Sequence, residues 1–197
     1  KLNAALLQEK IVLLREVQHR IANSLQIIAS VLMQSARHVL VEETRNHLRV
    51  AHGRVMSIAA VQRQLAESGL GEVGLRSYLI QLCESLGASM IGDPERLSIE
   101  VHADDSRIDA DRSVSIGLTV TELVINALKH AFPDHSGKIV IDYRADGPGW
   151  ELFVHDDGVG MPKGATVVKP GLGTGIVEAL ARQLEADVIV AAANPGT

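Results

Sequence analysis

The sequence predicts an α+β chain: an antiparallel hairpin of two long N-terminal helices, followed by an α/β sandwich with helices on one sheet face. Three observations lead there. Residues 1 to about 37 hold no Gly or Pro and repeat apolar residues at heptad spacing. Residues 69–74 then carry three glycines, the clearest break in the chain. Beyond the break, short strand-like runs alternate irregularly with helical ones.

The first helix places Leu7, Ile11, Leu14, Ile21, Leu25, Ile28 and Leu32 on an a/d seam that Gln18 interrupts. A seam kept over several heptads belongs in a bundle rather than on a lone surface helix. Val12, Glu16, His19, Asn23, Gln26 and Ser30 form a second, mostly polar stripe away from that seam, so His19 is expected to face water. A second helix is expected over residues 42–65, with Leu48, Ala51, Val55, Ile58 and Leu65 in the same pattern. The short connector makes the pair an antiparallel hairpin. A single hairpin leaves apolar surface uncovered, so a homodimer closing a four-helix bundle is expected. Residues 1–67 are read as this hairpin, 68–74 as a linker and 75–197 as a second domain.

In the second domain, residues 75–86 read as a helix with Tyr78, Leu79, Leu82, Cys83 and Leu86 on one side, and 97–101 as a strand. Residues 113–131 form a buried helix stopped by Pro133. Residues 138–144 and 150–154 make an antiparallel strand pair around a turn at 145–149. A loop at 161–170 leads into a helix ending near residue 185, and 188–192 is expected as a final strand.

The 197 residues are 46% hydrophobic with a net charge of −5, the balance of a folded domain with no basic stripe for nucleic acid. No apolar run reaches the length of a membrane span, and no signal peptide opens the chain. A single cysteine, Cys83, excludes an internal disulfide and fits a reducing, cytoplasmic setting; in its apolar helix it reads as buried and inert. The chain opens mid-helix and closes on the turn Asn194-Pro195-Gly196-Thr197, so a piece of a longer protein is expected.

Three stretches carry chemistry: Glu122-Leu123-Val124-Ile125-Asn126-Ala127-Leu128-Lys129-His130, Asp156-Asp157-Gly158-Val159-Gly160, and Gly171-Leu172-Gly173-Thr174-Gly175. An adenine amino group needs a fixed acceptor, which Asp156 offers at the end of a strand. Gly158 and Gly160 let the backbone turn and a flat base come close. A glycine-rich loop entering a helix presents backbone N–H groups and a positive dipole end to phosphates. Mg²⁺ takes oxygen ligands and keeps much of its water, so the Asn126 amide oxygen suits it. No G-x-x-x-x-G-K-[ST] run is present, and the 171–175 spacing is not that of a dinucleotide fingerprint.

In this order and spacing the stretches resemble the N box and two glycine boxes of the ATP-binding domain shared by sensor histidine kinases, gyrase, Hsp90 and MutL. The resemblance implies that fold from about residue 75 onward, with ATP and Mg²⁺ as ligands. It implies that Lys129 and His130 offset phosphate charge, and that Glu122, the N-box acid, either holds Mg²⁺ through water or acts as a base. It makes 161–170 a short ATP lid in which Lys163 and Lys169 reach phosphate. Gly196-Thr197 resembles the Gly-Thr before the family's last strand, whose Thr hydroxyl lies near adenine; that last strand is missing here.

Glu16-Val17-Gln18-His19-Arg20-Ile21-Ala22-Asn23-Ser24-Leu25-Gln26 resembles the phosphoacceptor segment of the HWE and closely related histidine kinases, with Ala22 and Ser24 where Lys and Asn are common. It implies that His19 is the acceptor. A histidine ring with an ordinary pKa of about 6.5 is mostly neutral at pH 7, as a nucleophile requires. Glu16 and Asn23, one turn to either side, are candidates to orient the ring. The reading implied is the core of a sensor histidine kinase: Mg-ATP phosphorylates His19, and the phosphoryl group passes to an Asp of a response regulator receiver domain. A sensory domain is expected upstream. A histidine phosphotransferase of the same architecture is the alternative, and the intact Asn126, Asp156 and glycine boxes count against it. An anti-sigma kinase or gyrase-like ATPase would lack the hairpin.

Overall fold

The computed structural model describes residues 2–68, 71–147, 149–160, 172–191 and 196–197. Helices α1 (Leu2–His38) and α2 (Glu42–Ser68) form the antiparallel hairpin. On α1 the residues that meet α2 are Ala22, Ala29 and Ala36, fully buried, and Ile11, Gln18, Leu25 and Leu32, half-buried. Both sets repeat every seven residues, and the small alanines let the helix axes approach closely. The other half of the expected seam points away: Leu14, Ile21 and Ile28 are 62%, 42% and 49% exposed.

Helix α2 is covered on two sides. Leu48, Ala51, Val55 and Ile58 are half-buried, while Gly53, Ser57, Val61 and Leu65 are buried on the side facing the rest of the chain. That side packs on α3 (Leu75–Met90) and α4 (Ala110–His130). Gly117 of α4 sits against Tyr78 so tightly that a Cβ there would lie 1.6 Å from the Tyr78 hydroxyl oxygen. This hydroxyl is buried and satisfied by the Ser57 hydroxyl at 2.9 Å. One hydrophobic core therefore runs from Val61 and Leu65 of the hairpin through Leu79, Leu82 and Leu86 to the sheet.

The sheet has the order β2-β4-β5, from β2 (Leu97–Ala103), β4 (Gly137–Asp146) and β5 (Gly149–Asp156). Strands β2 and β4 run parallel, joined through α4, and β4 and β5 are an antiparallel hairpin closing at Gly147 with φ +56°. Ile139, Ile141 and Tyr143 of the central strand are buried against the helices. Two short strands that the sequence does not announce, β1 (Glu72–Gly74) and β3 (Arg107–Asp109), pair antiparallel; β1 occupies the end of the expected linker. Helix α4 begins three residues before its expected start, where the Asp109 side chain caps it by accepting from the Arg112 N–H at 2.9 Å.

Helix α5 (Leu172–Gln183) packs on α4. The expected last strand is a correction: residues 188–191 adopt no regular structure, and Val188, Ile189 and Val190 are exposed. Strand propensity alone does not hold a strand without a ladder partner, and none is present among the described residues. No described helix is long and apolar enough to cross a membrane.

Candidate functional site

Helix α4 supplies the first wall. Glu122, Asn126 and His130 follow one another at four-residue spacing, so they share a face, with Lys129 beside them in the last turn. Glu122 is 3% exposed, Asn126 half-buried, and Lys129 and His130 open to solvent. The Lys129 ammonium near the helix C-terminus also complements its dipole.

Strand β5 supplies the second wall. Its period of two turns Trp150, Leu152, Val154 and Asp156 inward and His155 outward. Asp156 is thus the polar end of an otherwise apolar row, 8% exposed. Its Oδ1 accepts from the Gly158 N–H at 3.0 Å, and its Oδ2 is left as a hydrogen-bond acceptor. His155, which follows no site role, faces Asp142 across the other side of the sheet at 3.8 Å.

The turn after Asp156 is clamped to the end of α4. A Cβ on Gly158 would fall 2.2 Å from the Ala131 carbonyl oxygen, and the Val159 N–H donates to that same oxygen at 2.9 Å. Gly160 takes φ +71°, a backbone state that side chains rarely adopt, and abuts the Gly196 carbonyl. The Thr197 carbonyl in turn accepts from the Asp156 N–H at 3.0 Å, so Gly196-Thr197 lies against the Asp156 turn. At the start of α5, a Cβ on Gly173 would lie 3.0 Å from Glu122 Oε2 and 3.5 Å from Asn126 Oδ1. The second glycine box is thus seated on the α4 acid–amide pair. Thr174 and Gly175 are exposed, and Gly175 has open space around it. Gly171, the side chain of Leu172, and the lid with Lys163 and Lys169 lie outside the described residues.

His19 and Glu16 sit elsewhere, on the exposed side of α1. Glu16 accepts from Arg20 Nε at 2.8 Å, so in this structure its partner is Arg20 and not the His19 ring. An arginine one turn away with a free guanidinium is the stronger competitor for a carboxylate. One site contact had no sequence signal: Arg54 of α2 reaches across to Glu122, its Nε 2.5 Å and its Nη2 2.9 Å from the two carboxylate oxygens. The carboxylate holds the Arg54 pKa above its ordinary value, chiefly through this hydrogen bond. The available hint was a charged residue between Gly53 and Ser57 on the small-residue face of α2.

Residues 16–90 match the family described as histidine kinase, and residues 94–192 match the histidine kinase-like ATPase domain. The chain belongs to the histidine kinases. It is 33% identical over 171 residues to the sensor histidine kinase PdtaS of Mycobacterium tuberculosis, covering 85% of this chain and 34% of that protein. It is 29% identical over 194 residues to blue-light-activated histidine kinase 2 of Erythrobacter litoralis, covering 93% of this chain and 54% of that one. The chain therefore spans a third to about half of these relatives. Its fold resembles the histidine kinase domain of a blue-light-activated histidine kinase from Erythrobacter litoralis, with TM-score 0.65, 26% identity, and 95% of this chain and 89% of that one covered. Membership of the histidine kinase-like ATPase domain family implies that this histidine kinase uses ATP.

The site also suits Mg²⁺. Among the described residues no three His, Cys, Asp or Glu side chains gather to hold a metal. Mg²⁺ bound with a nucleotide needs only one or two protein oxygens, since water and phosphates supply the rest. The half-buried Asn126 amide beside Glu122 is such a donor set.

Proposed function

We propose that this chain is the catalytic core of a sensor histidine kinase that phosphorylates itself on His19 with Mg-ATP. What carries the reading is the joining, on one chain, of the Asn126/Asp156/Gly173 site with an exposed histidine in a His-Arg phosphoacceptor segment. Asp156 Oδ2 accepts from the adenine amino group, with Thr197 at its side. The backbone N–H groups of 171–175 hold phosphate, and Lys129 and His130 offset its charge. When bound, Mg²⁺ on Asn126 neutralises the phosphates and fixes their geometry. A ring nitrogen of His19 then bonds to the γ-phosphorus as the bond to the β–γ bridging oxygen breaks. ADP leaves with that electron pair, and the proton on the other ring nitrogen is released to water. Positioning and charge neutralisation account for most of such a transfer.

The phosphoryl group next moves to an Asp of a response regulator receiver domain, and a sensory domain upstream sets the rate. The exposed stripe of Leu14, Val17, Ile21, Ile28 and Val31 supports a homodimer. At 100° per residue, Ile21 and His19 point about 200° apart, so a partner on the stripe leaves His19 open.

The test is transfer of γ-labelled phosphate from Mg-ATP to wild type, His19→Ala and Asn126→Ala. An acid-labile, base-stable label on wild type, absent from both variants, is expected. Label surviving in His19→Ala would move the acceptor. An unlabelled wild type that takes phosphate at His19 from a phosphorylated receiver domain would make the chain a phosphotransferase.

A further inference from the structure

Glu122 is the most buried carboxylate of the site, and it is shared between two units. Arg54 on the hairpin helix α2 grips both of its oxygens in a fork, at 2.5 and 2.9 Å, while Gly173 of α5 closes over Oε2 from the other side. A planar fork on a planar carboxylate fixes both the charge and the plane of the acid, which a point charge does not. The surface that delivers Arg54 is built for close approach. A Cβ on neighbouring Gly53 would already lie 3.0 Å from Leu86 Cδ2 and 3.3 Å from Thr121 Cγ2, and one turn further Ser57 is pinned to Tyr78. Arg54 is therefore carried on a rigid seat, one residue from a close approach of α2 to both α3 and α4.

We propose that Arg54 is a positioning residue of the ATP site, holding the Glu122 side chain aligned beside Asn126, so that the phosphoacceptor hairpin itself completes the site. This rests on the reading of Glu122 as the site acid. A carboxylate has about four lone-pair sites; the fork uses two, and the others remain for a proton or for water on a metal. Removing the guanidinium would take away both hydrogen bonds that fix the plane of the buried carboxylate, leaving it free to swing out of line. That disables Glu122 in both of its possible roles without touching the adenine pocket at Asp156.

The experiment is steady-state autophosphorylation of the full chain as wild type, Arg54→Lys and Arg54→Ala, with thermal midpoints measured in parallel. Arg54→Ala is expected to lower kcat by roughly 10–100-fold while the KM for ATP moves by less than about 3-fold. Arg54→Lys keeps the charge but not the fork, so it is expected to fold like wild type with an intermediate kcat. It decides the matter if the alanine variant is unstable. Guanidinium chloride at low millimolar concentration is expected to raise the Arg54→Ala rate and to leave wild type and Glu122→Gln unchanged. Label on His19 at the wild-type rate or faster in both Arg54 variants, or a loss confined to KM, would overturn the proposal alone. No label on wild type would overturn the kinase reading, and this proposal with it.

Discussion

The proposed nucleotide site and the proposed phosphoacceptor helix are made in opposite ways. Around Asp156 every residue is held by something distant in sequence: Gly158 by Ala131, Gly160 by Gly196, Asp156 by Thr197, Glu122 by Arg54. His19 is exposed on its side of α1 with no hydrogen bond or ion pair among the described residues, and its context is set by residues within one turn. A pocket that recognises a shape has to be pre-organised, since flexibility there costs affinity. On the proposed reading the acceptor has to meet ATP and then a receiver domain, and so has to be reachable from outside. Rigidity sits on the side that binds, and access on the side that is visited.

The sharpest way to break this contrast is Gly158→Ala. The added Cβ meets backbone at Ala131, which has no rotamer to yield, so the turn or the α4 end must shift. A loss of roughly 2–3 kcal/mol in stability is expected, the upper range for overpacking, together with loss of ATP binding, read by chemical denaturation and by titration with a fluorescent ATP analogue. Ala22→Asn on the acceptor helix, by contrast, disturbs the seam with α2, and its effect should appear in stability before nucleotide affinity.

Next in size is the exposed stripe of α1. Ile28→Asp places a charge where dimerisation would bury it and leaves the α2-facing seam of Ala22, Ala29 and Ala36 untouched. Sedimentation should show a dimer for wild type and a monomer for the variant, with unchanged helix content and ATP affinity. If the variant remains a dimer, the stripe is not the interface.

How much of this was legible follows the same division. The helices were readable because their periods are local, and so was the position of Asp156 at the end of an apolar strand. The tight turn at Gly158 was readable from its place after Asp156. Which apolar line of α1 meets α2 was not readable, because Ile11/Leu25/Leu32 and Leu14/Ile21/Ile28 satisfy the heptad equally and only the position of α2 chooses between them. The second face of α2 was silent because Gly53 and Ser57 pack by being small, not by being apolar. Strands β1 and β3 are three residues each and far apart in sequence, too short for any period. Arg54 was missed for the same reason: its partner is 68 residues away.

A smaller effect belongs to the cleft of about 540 Å³ between the hairpin turn and α3, lined by Arg37, Arg45, Arg49, His52 and Ser89. His52 Nδ1 is buried there without a partner, and burial holds the ring's pKa below its ordinary 6.5. The unfolded chain therefore takes up a proton near pH 6.5 that the folded chain refuses. Where the unfolded state binds more protons, stability rises with pH. Thermal midpoints should fall as pH drops from about 7 to 5, and His52→Gln should flatten that slope while leaving the midpoint at pH 8 nearly unchanged.

The smallest effect is the most telling about the glycine box. Gly175 lies in the first turns of α5 with nothing among the described residues within 4 Å of an added Cβ. If packing were its reason for being glycine, Ala would clash, and here it does not. Ala removes the entropy that Gly loses in a helix, worth up to about 1 kcal/mol, so Gly175→Ala should raise the thermal midpoint by roughly 2–4 °C. The backbone N–H stays in place, so ATP affinity should change by less than about 3-fold. Unchanged affinity would assign phosphate binding at this position to the backbone. A large loss would mean that the nucleotide occupies the space where the Cβ would go, and that Gly175 is as much a part of the fitted pocket as Gly158.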